Sequence, residues 1–226
     1  MIFYAPQCTM NTKDYTLSEI ESKHCIKVLR KQLGNHIELI NGKGGHFSCE
    51  IIDPHFKRCK VKIEAKIEYP KSRYDIHIAM AVPKSSERLE WFLEKATELG
   101  IQTLSLINCG NSERTKINQK RLEKIAISAL KQSKRYHLPI INAPIPFKKF
   151  IESFPTGFIG HCYDSEKKHA KEIEKILPFL IGPEGDFTQE EVTIALESGY
   201  TSIELSKNRL RTETAALTSV FYLSNV

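Results

Sequence analysis

Gly182, Pro183 and Gly185, residues that free or stiffen the main chain, surround the acid Glu184 in the stretch LIGPEGDFTQEE (180–191). Glycines at the end of a strand let backbone amides and carbonyls come close to a ligand, and a proline between them stiffens the turn. A tight strand-to-helix connection uses the same residues for turning alone. The spacing is neither G-x-G-x-x-G nor a P-loop ending in Gly-Lys-Ser/Thr, so a bound nucleotide phosphate is not indicated. A second stretch, LSKNRLRTETAAL (205–217), sets Arg209, Arg211 and Glu213 between a strand and an Ala-rich helix. This brings a charged turn to the sheet edge that carries the glycine loop; read alone, Arg211 and Glu213 form a surface ion pair of little energetic weight.

Loops of this kind need strands and helices in alternation to hold them. Ile76, Ile78, Met80 and Val82 alternate as a strand, and residues 83–86 turn. Leu89, Phe92, Leu93, Ala96 and Leu99 then share one helical face that stops at Gly100. Leu104 and Leu106 begin another strand, and Leu122 to Leu130 mark a helix that Asn118 caps. A strand over 157–163, a charged helix near 167–176 and a strand over 178–181 follow. Thr188 and Glu191 have capping-box spacing and Phe187 and Val192 that of a hydrophobic staple, so a helix starts there and Gly199 ends it. Ile203 and Leu205 predict a last strand, and residues 212–223 a terminal helix. Such alternation predicts a parallel sheet with helices on both faces. Ligands settle at the carboxyl ends of strands in such sheets.

The first seventy residues have another period. Ile37 and Leu39, then Phe47, Cys49 and Ile51, then Val61, Ile63, Ala65 and Ile67 alternate as short strands, with reversals at Asn41-Gly42 and Gly44-Gly45. Strands this short must close or stack to cover their apolar faces, which predicts a small β-barrel. Residues 66–73 read as the linker, dividing the chain into a barrel domain at 1–70 and an α/β domain at 71–226.

Composition excludes some classes. At 41% hydrophobic and 27% charged, the 226-residue chain is an ordinary folded protein, and its net charge of +6 favours an anionic partner if the cations gather. The six cysteines at 8, 25, 49, 59, 109 and 162 form no CxxC pair and have no histidine at ligand spacing, so they read as buried thiols and no metal is expected. No apolar run has the length of a membrane span and the N-terminal segment lacks signal-peptide features, so a cytoplasmic protein without membrane attachment is expected.

Five segments, in order, resemble the 16S ribosomal RNA uridine-N3 methyltransferases, members of the SPOUT class of S-adenosylmethionine enzymes. LIGPEGDF (180–187) looks like the family's LIGPEGGF, and LRTETAAL (210–217) matches its LRTETA signature. EKATELGI (94–101) resembles KATELGV, KQSKRYHLPII (131–141) is similar to an EQS-R-x-x-x-P segment, and residues 24–44 are similar to the H-x-x-V-L-R strand of a PUA-like domain. Asp186 stands where the family has a second glycine, and Ser206, Lys207, Asn208 and Arg209 depart from its usual lead-in.

The resemblance implies a SPOUT-type parallel sheet with a C-terminal trefoil knot, preceded by a PUA-like β-barrel that binds RNA. It implies that S-adenosylmethionine is held, largely by main chain, at Ile181, Gly182, Pro183, Gly185, Leu205, Ser206 and Leu210. A homodimer acting on 16S ribosomal RNA in the small ribosomal subunit is implied too; apart from the resemblance, the apolar terminal helix offers Val220, Phe221 and Leu223 as its interface.

Methylating N3 of uridine requires an extruded base, loss of the N3 proton and stabilisation of charge on the adjacent oxygens. Arg211 is the expected cation, and Glu184 or Glu213 orients it or takes the proton; an ion pair or a helix-start partner is the plainer role for each acid. His24, Lys27, Arg30, Lys134 and Arg135 are the expected RNA contacts, each otherwise a solvated cation. Trp91 and Phe92 read as core. Two other readings stay open: the same enzyme class acting on a transfer RNA or a ribose 2′-oxygen, and a non-catalytic ribosome-assembly factor.

Overall fold

The computed structural model describes residues 1–72 and 74–226. They divide into two compact units, one of residues 1–72 with 127–138 and the other holding the rest.

The first unit is a five-stranded sheet. Its strands are β1 (Ile2–Tyr4), β2 (Asp14–Thr16), β3 (His36–Ile40), β4 (Gly45–Asp53) and β5 (Lys60–Glu68), in the order β1-β3-β4-β5-β2. β1 runs parallel to β3, and the other neighbours are antiparallel. Phe3, Leu39, Phe47, Ile51 and Val61 are fully buried in its core beside Cys8, Cys25, Cys49 and Cys59. Alternation in β5 holds only as far as Ile63. Ser48 pairs with Ala65 while Cys49 pairs with Ile63, so Glu64 is an extra residue that turns Ala65 and Ile67 outward, leaving Ile67 49% exposed.

Residues 24–28, within the stretch expected as a strand, are helical. α1 (Glu19–Lys23), capped by Ser18, runs into a π-helical turn at His24–Val28. Ser22 and Cys25 are buried, three apart on one face, and the Ser22 hydroxyl donates to Leu17 O while accepting from Cys59 N at 2.9 Å. Arg30 ends the turn at φ 54°. The expected linker is also shorter, because β5 extends to Glu68 and Tyr69 stacks on Tyr136 at 3.8 Å; residue 73 of that linker lies outside the described residues.

The second unit is a seven-stranded sheet in which every pairing is parallel. Its elements are β6 (His77–Ala81), α2 (Ser86–Leu99), β7 (Thr103–Asn108), the start of α3 (Gln119–Ser133), β8 (Ile140–Pro146), α4 (Phe147–Ser153), β9 (Gly157–Gly160), β10 (Lys168–His169), β11 (Phe179–Ile181), α5 (Gln189–Ser198), β12 (Tyr200–Glu204) and α6 (Thr212–Leu223). The order is β10-β12-β9-β11-β6-β7-β8, so the chain builds outward from β6 to β8 and then crosses to the other side. That crossover is a topological switch point beside the carboxyl ends of β9, β11 and β12. β6 and β11 are buried throughout, as central parallel strands are. Ala79, Ala81 and Leu180 pack with Phe147 and Phe150 of α4 and Val192 and Ala195 of α5, while α6 packs on α2, β6 and β11.

Four further expectations change. Residues 167–176 hold β10 and a short 3-10 turn, Ala170–Glu172, in place of a helix. Ten residues gain too little from helix propensity alone, and pairing of Lys168 and His169 with Ile203 and Glu204 prevails. Val220 and Leu223 are interior, so of the proposed interface trio only Phe221, 54% exposed, reaches the surface. Trp91 is 44% exposed although Phe92 is buried, because the two point to different sides of α2. Cys162 is exposed, unlike the other five thiols. Among the described residues no helix is long and apolar enough to cross a membrane, and no cluster of three or more His, Cys, Asp or Glu is placed to hold a metal.

Candidate cofactor and active site

The two loops singled out in the sequence form opposing walls of one cavity of about 710 Å³. Ile181, Gly182, Pro183, Glu184 and Asp186 line it after β11, and Leu205 to Arg211 line it after β12. Gly160 and His161 line it past β9. Gly185 and Glu213 do not. Gly185 faces Asn111 and a smaller neighbouring hollow, and Glu213 is buried at the start of α6.

The glycine loop is shaped differently from its sequence reading. Gly182 needs its missing side chain for space, since a Cβ there would lie 3.1 Å from both Cδ2 and N of Phe187. The left-handed residue of the turn is Asp186, at φ 65°, where its N donates to Pro183 O at 2.9 Å. Aspartate tolerates this region better than most side chains. Its carboxylate accepts from Cys162 N at 2.7 Å and from Phe187 N at 2.8 Å, tying the loop to the segment past β9. Asn111 Nδ2 donates to Gly185 O at 3.2 Å and Asp186 O at 3.1 Å. Asp186→Gly is therefore expected to relieve about 1 kcal/mol of backbone strain and lose charge-assisted hydrogen bonds of larger sum, for a net loss of about 1 kcal/mol. Urea unfolding reads it, and a more stable variant contradicts it.

Glu184 is held by its neighbours. Its Oε1 accepts from Lys84 N at 3.0 Å, in the loop after β6. The arginine beside both predicted acids is Arg88 of α2, at 3.6 Å from Glu184 Oε1 and 3.6 Å from Glu213 Oε1. The pairing of Arg211 with Glu213 is thus replaced. Sequence reasoning missed Arg88 because a cation in the first turn of a helix looks like any solvated one. Arg211 is exposed at the N-cap of α6 and lines the cavity. Arg209 crosses between the walls, with Nη2 at 3.5 Å from Glu184 O.

Behind the loop stands Glu191, 8% exposed. Its Oε2 accepts from Thr188 N and its Oε1 from Gly110 N, both at 2.8 Å. The capping box therefore also holds the loop after β7, where a Cβ on Gly110 would lie 2.8 Å from Thr188 Cγ2.

His161, absent from the candidate site residues of the sequence reading, lines the cavity, with Nε2 2.9 Å from Ser202 Oγ and Nδ1 buried with no hydrogen-bond partner among the described residues. Burial, reinforced by Lys167, holds its pKa below the ordinary value, and burial does the same for His77, whose Nε2 lies 2.8 Å from Ser105 Oγ. Because the fold favours the neutral rings, their contribution to stability is present above the ordinary pKa of about 6.5 and is lost as pH falls below it. The melting temperature is expected to drop between pH 7 and 5, and His161→Gln should flatten part of that drop. An unchanged profile counts against the burial argument.

All five expected RNA contacts fall in the first compact unit. His24, Lys27 and Arg30 are exposed on and after the π-helical turn, and Lys134 and Arg135 are exposed past α3. Lys131 Nζ bonds Glu21 Oε1 at 2.9 Å, which fixes the end of α3 beside α1. Lys134, at φ 55°, turns the chain there.

A parallel sheet whose carboxyl-end loops enclose a cofactor-sized cavity, joined to a small basic sheet unit, defines an enzyme class that brings a small donor to an anionic polymer. Comparisons give the class its family. The RNA methyltransferase domain matches residues 70–224, and the RNA methyltransferase PUA domain matches residues 17–64. A probable rRNA-methyltransferase from Porphyromonas gingivalis is 34% identical, covers 99% of this chain and 97% of its own, and has a TM-score of 0.89. A putative methyltransferase from Legionella pneumophila, solved with bound cofactor SAM, is 25% identical, with a TM-score of 0.86 over 99% of this chain and 96% of its own. The ribosomal RNA small subunit methyltransferase E of Rickettsia conorii is 28% identical over 97% of this chain and 92% of its own. The chain belongs to the RNA methyltransferase family.

Proposed function

We propose that this protein methylates N3 of a specific uridine in 16S ribosomal RNA, with S-adenosylmethionine as donor. The observation that carries the reading is the convergence of the glycine loop and the arginine loop on one cavity. Its volume lies in the range of small-molecule sites, and its walls combine apolar Ile181, Leu205 and Leu210 with polar Glu204, Ser206 and Asn208. That mixture suits a ligand with a flat aromatic end and a charged end.

When bound, S-adenosylmethionine supplies a methyl group on a sulfonium, a good leaving group. Ile181, Gly182 and Pro183 on one wall and Leu205, Ser206 and Leu210 on the other hold the donor. Gly185 shapes the turn from outside the cavity. Arg211, whose guanidinium makes no hydrogen bond or ion pair among the described residues, is available to stabilise negative charge on the uracil oxygens as N3 loses its proton. Glu184, one of three acids lining the cavity with Asp186 and Glu204, is the one assigned to accept this proton, directly or through water. Glu213 has the positioning role, beside Arg88.

A trefoil knot belongs to the same reading. It is supported by β11 and β12, the last two strands in sequence, lying inside the sheet and not at its edge. So do a cytoplasmic location, a barrel domain at 1–70, a catalytic domain at 71–226, and a homodimer, for which the exposed Phe221 on α6 offers apolar surface. Mass spectrometry of nucleosides from 16S ribosomal RNA of cells lacking the protein tests the substrate. Loss of one N3-methyluridine is expected, and an unchanged map contradicts the assignment.

A further inference from the structure

The turn between β4 and β5 carries two rings that the core does not use. His55 and Phe56 lie with centroids 5.2 Å apart and planes 16° from parallel. Both are half-exposed, and Phe56 takes no part in the buried cluster of the first unit. A hairpin tip needs no phenylalanine, and an apolar ring left in water is unfavourable unless something covers it.

The turn is built rather than loose. Pro54 stiffens its entry, Lys57 N donates to His55 Nδ1 at 3.2 Å, and Arg58 N donates to His55 O at 3.1 Å. With Nδ1 accepting, the neutral ring carries its hydrogen on Nε2, leaving a donor for a ligand. Behind the tip, Cys59 is fixed by its bond to Ser22 and by Leu17 N donating to Cys59 O at 2.9 Å.

Cations surround the rings. Lys27 Nζ lies 4.4 Å from the Phe56 centroid and Lys57 Nζ 5.8 Å. Lys27, Lys57 and Arg58 form no salt bridge among the described residues, and Glu19 lies near enough to Lys57 to interact with it only through space. A planar face with adjacent cations outside any salt bridge fits a nucleobase and its phosphates better than an aliphatic or acidic peptide, which would use the charge and leave the plane unused. The long Lys27 stem lets its ammonium move from the ring to a phosphate when a base takes the ring face, and stacking of a base outweighs an exposed cation–π contact.

We propose that the His55–Phe56 turn is a stacking platform for an unpaired base of the RNA substrate, with Lys27, Lys57 and Arg58 binding the phosphates beside it. The proposal rests on the RNA-modifying reading above and adds to it a contact made by the first unit. The test is fluorescence anisotropy of the full chain with a labelled single-stranded oligouridylate and with a labelled RNA duplex. Phe56→Ala and Phe56→Leu are expected to weaken binding of the single strand about tenfold, Phe56→Trp to retain it, and duplex binding to change little. Leucine keeps the apolar bulk without the π face, so a leucine variant that binds like wild type overturns the proposal. Equal losses on strand and duplex, or binding of phosphatidylserine vesicles in place of RNA, overturn it too. Calorimetry with S-adenosylmethionine separates the two claims: absent heat for the wild type sinks the methyltransferase reading, while the anisotropy series alone decides the platform.

Discussion

Replacement of Arg211 by alanine is expected to reduce the rate of methyl transfer by about 10²–10³-fold. The cavity has one long cationic side chain at the start of α6, and the proposed reaction places negative charge on the uracil oxygens only as the N3 proton leaves. An interaction made mainly in the transition state lowers turnover when removed and leaves ground-state binding alone. The dissociation constant of S-adenosylmethionine should therefore move by no more than about threefold, because the proposed site holds the donor by main chain and apolar groups of the two walls. Single-turnover kinetics with saturating donor and 16S ribosomal RNA measure the first quantity, and calorimetry the second. Turnover near the wild-type rate removes Arg211 from the mechanism, and a large loss of donor affinity with normal turnover makes it a binding residue.

Glu191→Ala should be the most destabilising single change near the site, by about 3 kcal/mol. Its carboxylate accepts two backbone N–H groups at 2.8 Å from different parts of the chain, one in its own helix cap and one at Gly110. Loss of a cap costs about 1 kcal/mol, and a buried N–H left without a partner adds about 1–3 kcal/mol. Glu191→Gln keeps an acceptor oxygen for one of the two donors and is expected to lose about half as much. Urea denaturation measures both variants, and donor affinity should fall with the alanine variant as the glycine loop loses its support. A loss below about 1 kcal/mol would show that Gly110 finds another partner or water.

The parallel sheet and the two loops that line the cavity were legible where local chemistry and tertiary demand agree. The start of α5 is the clearest case: Thr188, Glu191, Phe187 and Val192 each predict the same entry, and the capping bonds and burial follow. Terminal helix α6 and the glycine ends of α2 and α5 were legible for similar reasons. What failed was structure decided at a distance. β8 is half-exposed along its length and shows no alternation, so only its pairing with β7 makes it a strand. Residues 167–176 carry helix-forming side chains but are taken up by the sheet edge. Glu64 reverses β5 through a bulge that no residue type announces.

At the site, position in sequence located the two loops but not their partners. Arg88 lies 96 and 125 positions before the acids it joins, and nothing in its local context marks it. His161 falls inside the strand expected over 157–163, whereas β9 stops one residue before it, which puts it in the cavity wall. Asp186 stands where the resembled family has a glycine. The structure gives it a left-handed backbone and two hydrogen bonds through the added carboxylate, so the loop keeps its turn with a different residue.

A crystal structure of the protein with S-adenosylmethionine examines the shared pocket most directly. The donor should lie between Ile181–Pro183 and Leu205–Leu210, contacted mainly by their backbone, with its sulfonium on the Arg211 side. Density for the donor at any other surface, with the space between these two walls left empty, would contradict the assignment of the cavity.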